Sequence, residues 1–190
     1  MDIRHFFFKY RSYTPIPLIV IALALAKPTW PTFLGGLLFV LSGEGLRFWG
    51  VAYAGGATRT TSRVRGDRLI TDGPFGHVRN PLYLGNFILS FGIMIMSWAW
   101  MPWMAFLFIS LFGIQYSFIV HLEEEFLHQR FGEDYSEYRK NVRRWIPCVV
   151  PYPTTEPTDP NFSKALRSER NTFQAIVVVC GLLLIRWHVI

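Results

Sequence analysis

Between Leu82 and Val120 the chain carries no charged residue. The run is interrupted once, at Ser97-Trp98-Ala99-Trp100-Met101-Pro102-Trp103, where three tryptophans and a proline crowd into a turn. Apolar segments over 82–97 and 103–120, joined so closely, predict two antiparallel helices forming a hairpin. The Trp side chains suit the depth of a membrane interface. This hairpin constrains the rest: whatever precedes Leu82 and whatever follows Val120 must meet at its open end.

Other apolar segments extend the pattern. Of the 190 residues, 51% are hydrophobic, with 17 Phe and 7 Trp, which points to a membrane rather than the cytosol. Pro15–Ala26, with flanks reaching Trp30, covers about 24 Å at 1.5 Å per residue and predicts a first, short span. Thr32–Ala54 predicts a second. Its Glu44 and Arg47, three apart, share a helix face and point to protein or to each other rather than to lipid. Gly43, Gly45 and Gly50 would let another helix approach closely. The hairpin supplies the third and fourth spans, and Asn171–Trp187 a fifth. Residues 1–13 mix basic and aromatic residues and suit the interface, Phe side chains down. From His121 the chain is helical and charged. Gly132 ends one helix, and Tyr135, Tyr138 and Val142 share a face of the next. Five prolines between Pro147 and Pro160 predict an extended linker. The expectation is an all-α integral membrane protein with about five transmembrane helices, divided at 1–54, 55–150 and 151–190.

The net charge of +6 has a topological reading. With the N-terminus in the cytosol and five alternating spans, sixteen of the 19 Lys and Arg fall on the cytosolic side. Both polar regions, 55–80 and 121–172, then face the cytosol, as in a bacterial inner membrane. Membrane lipids are expected partners. No nucleic-acid-binding motif is present. The two cysteines, Cys148 and Cys180, define neither a disulfide framework nor a metal site.

Leu69–Gly85, LITDGPFGHVRNPLYLG, is polar and turn-rich where it enters the hairpin. Asp72-Gly73-Pro74 is a turn, and Pro81 stands where a helix starts without missing its N–H. The hairpin brings Asn80-Pro81-Leu82-Tyr83 close to His121-Leu122-Glu123-Glu124. Amide donors, an aromatic ring and carboxylates suit a ligand with a cation, hydroxyls and a flat ring. The Glu123–Glu125 run read by itself is equally a solvated acidic face or a set of counter-charges for nearby Arg.

GPF-x₃-RNPLYLG, followed about forty residues later by EEE-x₅-FGEDYSEY and Ile146-Pro147, resembles the isoprenylcysteine carboxyl methyltransferase family. That family lies within a wider group of membrane methyltransferases that includes phospholipid N-methyltransferases. The likeness covers residues 55–148. It implies a cytosolic pocket for S-adenosyl-L-methionine, formed by the loop before the hairpin and the helices after it. A lipophilic or lipidated acceptor would enter from the bilayer. Residue by residue, the donor-binding positions fall on Asp67, Arg68, Leu69, Ile70, Phe75, Asn80, Pro81, Leu82, Tyr83 and Glu123. Three positions depart from the family pattern: Asn80 stands for its His, Phe75 for its Tyr, and Ile119 for the Arg that would hold an acceptor carboxylate. Such an acceptor would need another cation, Arg79 or Arg47. An amine or hydroxyl acceptor would need a base, and Glu124, His77 and His121 are the candidates.

Two other readings remain open from sequence. Sterol reductases share a similar Arg-x-Pro-x-Tyr segment, and Arg63 and Arg65 could take the 2′-phosphate of NADPH. A non-catalytic membrane scaffold would tolerate the three departures.

Overall fold

The computed structural model describes residues 3–55, 68–154 and 157–189. Regular structure among the described residues is helical throughout: α1 (Ile3–Tyr10), α2 (Ile16–Ala24), α3 (Trp30–Ala54), α4 (Pro74–His77), α5 (Pro81–Ser97), α6 (Trp103–Asn141) and α7 (Phe162–Val189). By length and composition α6 and residues 162–188 of α7 can each cross a bilayer. The predicted first span is shorter than its sequence suggests. α2 has 9 residues, about 14 Å, roughly half a bilayer core.

α3 starts on a reciprocal cap: the Thr29 hydroxyl accepts from the Thr32 amide and the Thr32 hydroxyl from the Thr29 amide, with Pro31 in the first turn. It runs antiparallel to α5 along a glycine seam. Glycine recurs every seventh residue on both helices, at 36, 43 and 50 and at 85 and 92. Gly36 meets Gly92 and Gly43 meets Gly85. A Cβ on Gly43 would lie 2.4 Å from the Leu89 nitrogen and 2.7 Å from the Gly85 carbonyl oxygen. Gly45, grouped with these from sequence, faces away, with no atom within 4 Å of its would-be Cβ.

The hairpin arms are spaced differently. Phe87 packs 5.5 Å from Phe108 and 5.1 Å from Phe112, ring centre to ring centre. Large rings hold α5 off α6, whereas backbone touches backbone between α3 and α5, so α5's closest partner is α3. α1 packs on α6, with Phe8 buried against Tyr116 and Ile119 and Phe7 stacked on Phe118. The N-terminal segment is therefore a wall of the fold as well as a candidate interface element. α6 breaks at Gly132, as the sequence predicts, where φ is 53° and the backbone is not helical.

The Pro-rich stretch is also more than a spacer. The Arg79 amide donates to the Arg143 carbonyl (2.9 Å), Cys148 to His77 (2.7 Å) and Tyr152 to Gly76 (2.9 Å). The Asp72 carboxylate accepts from the Thr158 amide and, at 3.0 Å, from its hydroxyl. Residues 142–154 and Thr158 strap the 72–80 loop in place.

Candidate active site

A cavity of about 1010 Å³ opens between the glycine-packed and aromatic-packed sides of α5. Arg68, Leu69, Ile70, Phe75, Asn80, Pro81, Leu82, Tyr83 and Glu123 all line it, as do Arg79 and Glu124. Asp67, Arg63 and Arg65 lie outside the described residues. The remaining wall grades from these polar groups to Leu89, Met94, Phe108 and Phe112. Ligand pockets commonly measure roughly 300–1,000 Å³, so there is room for more than one small molecule.

Tyr83 and Glu123, forty residues apart, meet directly: the phenol donates to the carboxylate at 2.5 Å. Tyr83 stands in the first turn of α5, and Glu123 one turn past the apolar part of α6. Arg11 stands 3.7 Å from the same carboxylate. Burial pushes the Glu123 carboxyl above the ordinary carboxylate range, against the lowering by the Tyr83 hydroxyl and Arg11.

Glu124 is engaged differently. Arg144 grips both of its oxygens, at 3.0 and 2.5 Å, and Arg79 lies 3.0 Å away. Doubly paired, this carboxylate ties the strap to α6. Asn80, at the N-terminus of α5, donates to the Arg144 carbonyl at 3.2 Å and lines the cavity. His77 bonds the Cys148 carbonyl oxygen through Nδ1 at 2.8 Å. Neither His77 nor His121 lines the cavity, so two of the three candidate bases lie apart from it.

One turn deeper along α5, Asn86 donates to the Tyr116 hydroxyl (3.2 Å) and accepts from Arg47. Arg47 also bonds Glu44 at 3.3 Å, the pair expected from sequence, and Glu169 of α7 at 2.7 Å. Gln115, buried on the same wall, has an amide nitrogen with no hydrogen-bond partner among the described residues. A buried donor of this kind is costly unless a ligand or water satisfies it.

Sequence reasoning missed Arg11, Arg144 and Glu169. Each sits in a charged stretch with no motif; Arg11 and Glu169 find their partners more than a hundred residues away, and Arg144 reaches from the strap to Glu124 on α6.

Residues 30–134 match the sequence profile of the family described as phospholipid methyltransferase. The chain belongs to that family. It is 30% identical over 114 residues to the protein-S-isoprenylcysteine O-methyltransferase of Schizosaccharomyces pombe, covering 58% of this chain and 48% of that protein. It is 31% identical over 126 residues to a probable protein-S-isoprenylcysteine O-methyltransferase of Oryza sativa subsp. indica, covering 65% of each. Against protein-S-isoprenylcysteine O-methyltransferase B of Arabidopsis thaliana it is 30% identical over 117 residues, covering 60% of this chain and 58% of that protein. The chain thus spans about half to two-thirds of the length of these relatives. No solved structure matches it significantly. The family match stops at residue 134, so Tyr138, Arg144 and Glu169 are contributions from beyond it.

Proposed function

We propose that the chain is an S-adenosyl-L-methionine-dependent methyltransferase whose acceptor is lipophilic and reaches the cavity from the bilayer. The observation that carries this reading is the Tyr83–Glu123 hydrogen bond in the wall of a cavity that grades from polar to apolar. Family membership and the names of the relatives favour it over a nicotinamide-dependent reductase.

The residues present fit the donor. Glu123 accepts hydrogen bonds from ribose hydroxyls or an amine, and Phe75 and Tyr83 offer aromatic faces to a flat base and a cation. Arg68, Leu69, Ile70, Asn80, Pro81 and Leu82 complete the polar half, with Asp67 next in the chain. The donor, when bound, supplies a methyl group on a positively charged sulfur that keeps the bonding electron pair on transfer. The protein's part is to align that methyl with the acceptor nucleophile and keep water out. The apolar half, walled by Leu89, Phe108 and Phe112, orients the acceptor's tail. Glu124 acts as a positioning residue through Arg79 and Arg144. The five-span, N-terminus-in topology with the donor site at the cytosolic face belongs to the same proposal.

Calorimetry of the detergent-purified protein tests it. Heat on titrating S-adenosylhomocysteine, and none on titrating NADPH, is the expected result. Binding of NADPH alone, or of neither, refutes it.

A further inference from the structure

We infer that Glu169 sets acceptor specificity by filling the place of an acceptor carboxylate on Arg47, so that this cavity rejects acids and takes a neutral or cationic acceptor group. The inference rests on the methyltransferase reading and deepens it.

The cations in the cavity wall are already engaged. Arg11 faces Glu123, Arg79 faces Glu124, and Arg47 lies between Glu44 and Glu169. Arg68 and Lys164 also line the cavity, but both are exposed at its rim, where water screens them. Position 119, where an Arg would serve an acceptor carboxylate, is a fully buried Ile. Among the described residues Arg47 is the cation that bonds Asn86, one helical turn along α5 from Tyr83. Its Nη2 meets the Glu169 carboxylate at 2.7 Å, and the Thr172 hydroxyl fixes the same oxygen at 2.8 Å. The side chains are 15% (Arg47) and 1% (Glu169) exposed, so the pair is largely shielded and firmly held. An incoming carboxylate would have to evict it or sit beside it uncompensated, and both are unfavourable. A hydroxyl or amine incurs no such penalty. The carboxylate comes from α7, outside the region that matches the family, so this filter belongs to the chain's own tail.

The test uses full-length, detergent-purified protein and three ligands with one tail: N-acetyl-S-farnesylcysteine (anionic), its methyl ester (neutral) and S-farnesylcysteamine (cationic). Wild type is expected to bind the ester and the amine more tightly than the acid. Glu169→Gln is expected to gain about tenfold for the acid, the scale of one charge-assisted hydrogen bond, and nothing for the ester. A merely structural role for Glu169 would move all three ligands together. Wild type binding the acid as tightly as the ester overturns the inference. So does an unchanged acid-to-ester ratio in Glu169→Gln, or failure of all three ligands to bind. Should Glu169→Gln not fold, the wild-type ranking decides. S-adenosylhomocysteine is titrated in parallel: loss of that signal strikes the methyltransferase reading, whereas the acid-to-ester ratio strikes only the role of Glu169.

Discussion

Gly43 and Gly45 differ by two positions in one helix, and alanine at the two sites has opposite consequences. At Gly43 the new methyl would fall 2.4 Å from the Leu89 nitrogen, 2.7 Å from the Gly85 oxygen and 2.9 Å from the Leu89 Cα. All three are backbone atoms, so no rotamer change relieves the clash. α3 and α5 must separate by about an ångström, and overpacking of this kind costs roughly 1–3 kcal/mol. At Gly45 nothing lies within 4 Å. Alanine there only removes glycine's excess backbone freedom, a gain of about 0.5–1 kcal/mol. For a chain of this size each kcal/mol moves the midpoint by roughly 2–4 °C. Thermal unfolding in detergent should therefore show Gly43→Ala lower by about 2–12 °C and Gly45→Ala higher by about 1–4 °C. The Gly43 variant should also weaken acceptor binding, because the shift pulls Arg47 from Asn86. Shifts of the same sign at both positions would refute the glycine-seam packing.

Tyr83→Phe and Glu123→Gln should each weaken S-adenosylhomocysteine binding about tenfold while leaving the midpoint within a few degrees; calorimetry with wild-type affinity in both variants would contradict the donor site. Because burial holds the Glu123 carboxyl above its ordinary value, it protonates earlier on acidification than an exposed Glu. Donor affinity should be full above that raised pKa and fall below it by about tenfold in all, the loss expected for Glu123→Gln, and Glu123→Gln should abolish this dependence. Asp72→Ala removes both acceptors of Thr158 and should speed limited proteolysis around residues 150–158; an unchanged cleavage rate would show that the strap is held elsewhere.

The features legible in the sequence have local causes. An uncharged run broken by a Trp- and Pro-rich turn specifies a hairpin whatever surrounds it. Gly132 breaks α6 because only glycine is at ease at φ 53°. The meeting of Tyr83 with Glu123 followed from the hairpin's return alone. What escaped depended on facing and on pairing at a distance. Gly43 and Gly45 look alike in a string but point about 200° apart around a helix. The seven-residue recurrence at 36, 43 and 50, matched by 85 and 92, was the signal that separates them. The strap of residues 142–154 and Thr158 left no such mark, because main-chain hydrogen bonds are made by any sequence. The two guanidinium partners of Glu124 approach from the loop and from the strap, a pairing the EEE run does not disclose.

The cavity draws on all three divisions predicted from sequence, and the division of labour among them is uneven. The segment that matches the family carries Tyr83, Asn80 and Glu123, the groups suited to the donor. The flanks close the site: Phe8 and Arg11 from the N-terminal side, Tyr138 from the end of α6, Arg144 and Thr158 from the strap, Glu169 and Thr172 from α7. In the proposed reading the donor end lies inside the family match. Acceptor choice can then be altered by whatever packs against the other end. Arg47 shows how little is required. It lies inside the matched region and could serve a carboxylate, yet one buried residue from outside that region neutralises it. In this fold the family match therefore constrains the reaction more tightly than it constrains the substrate.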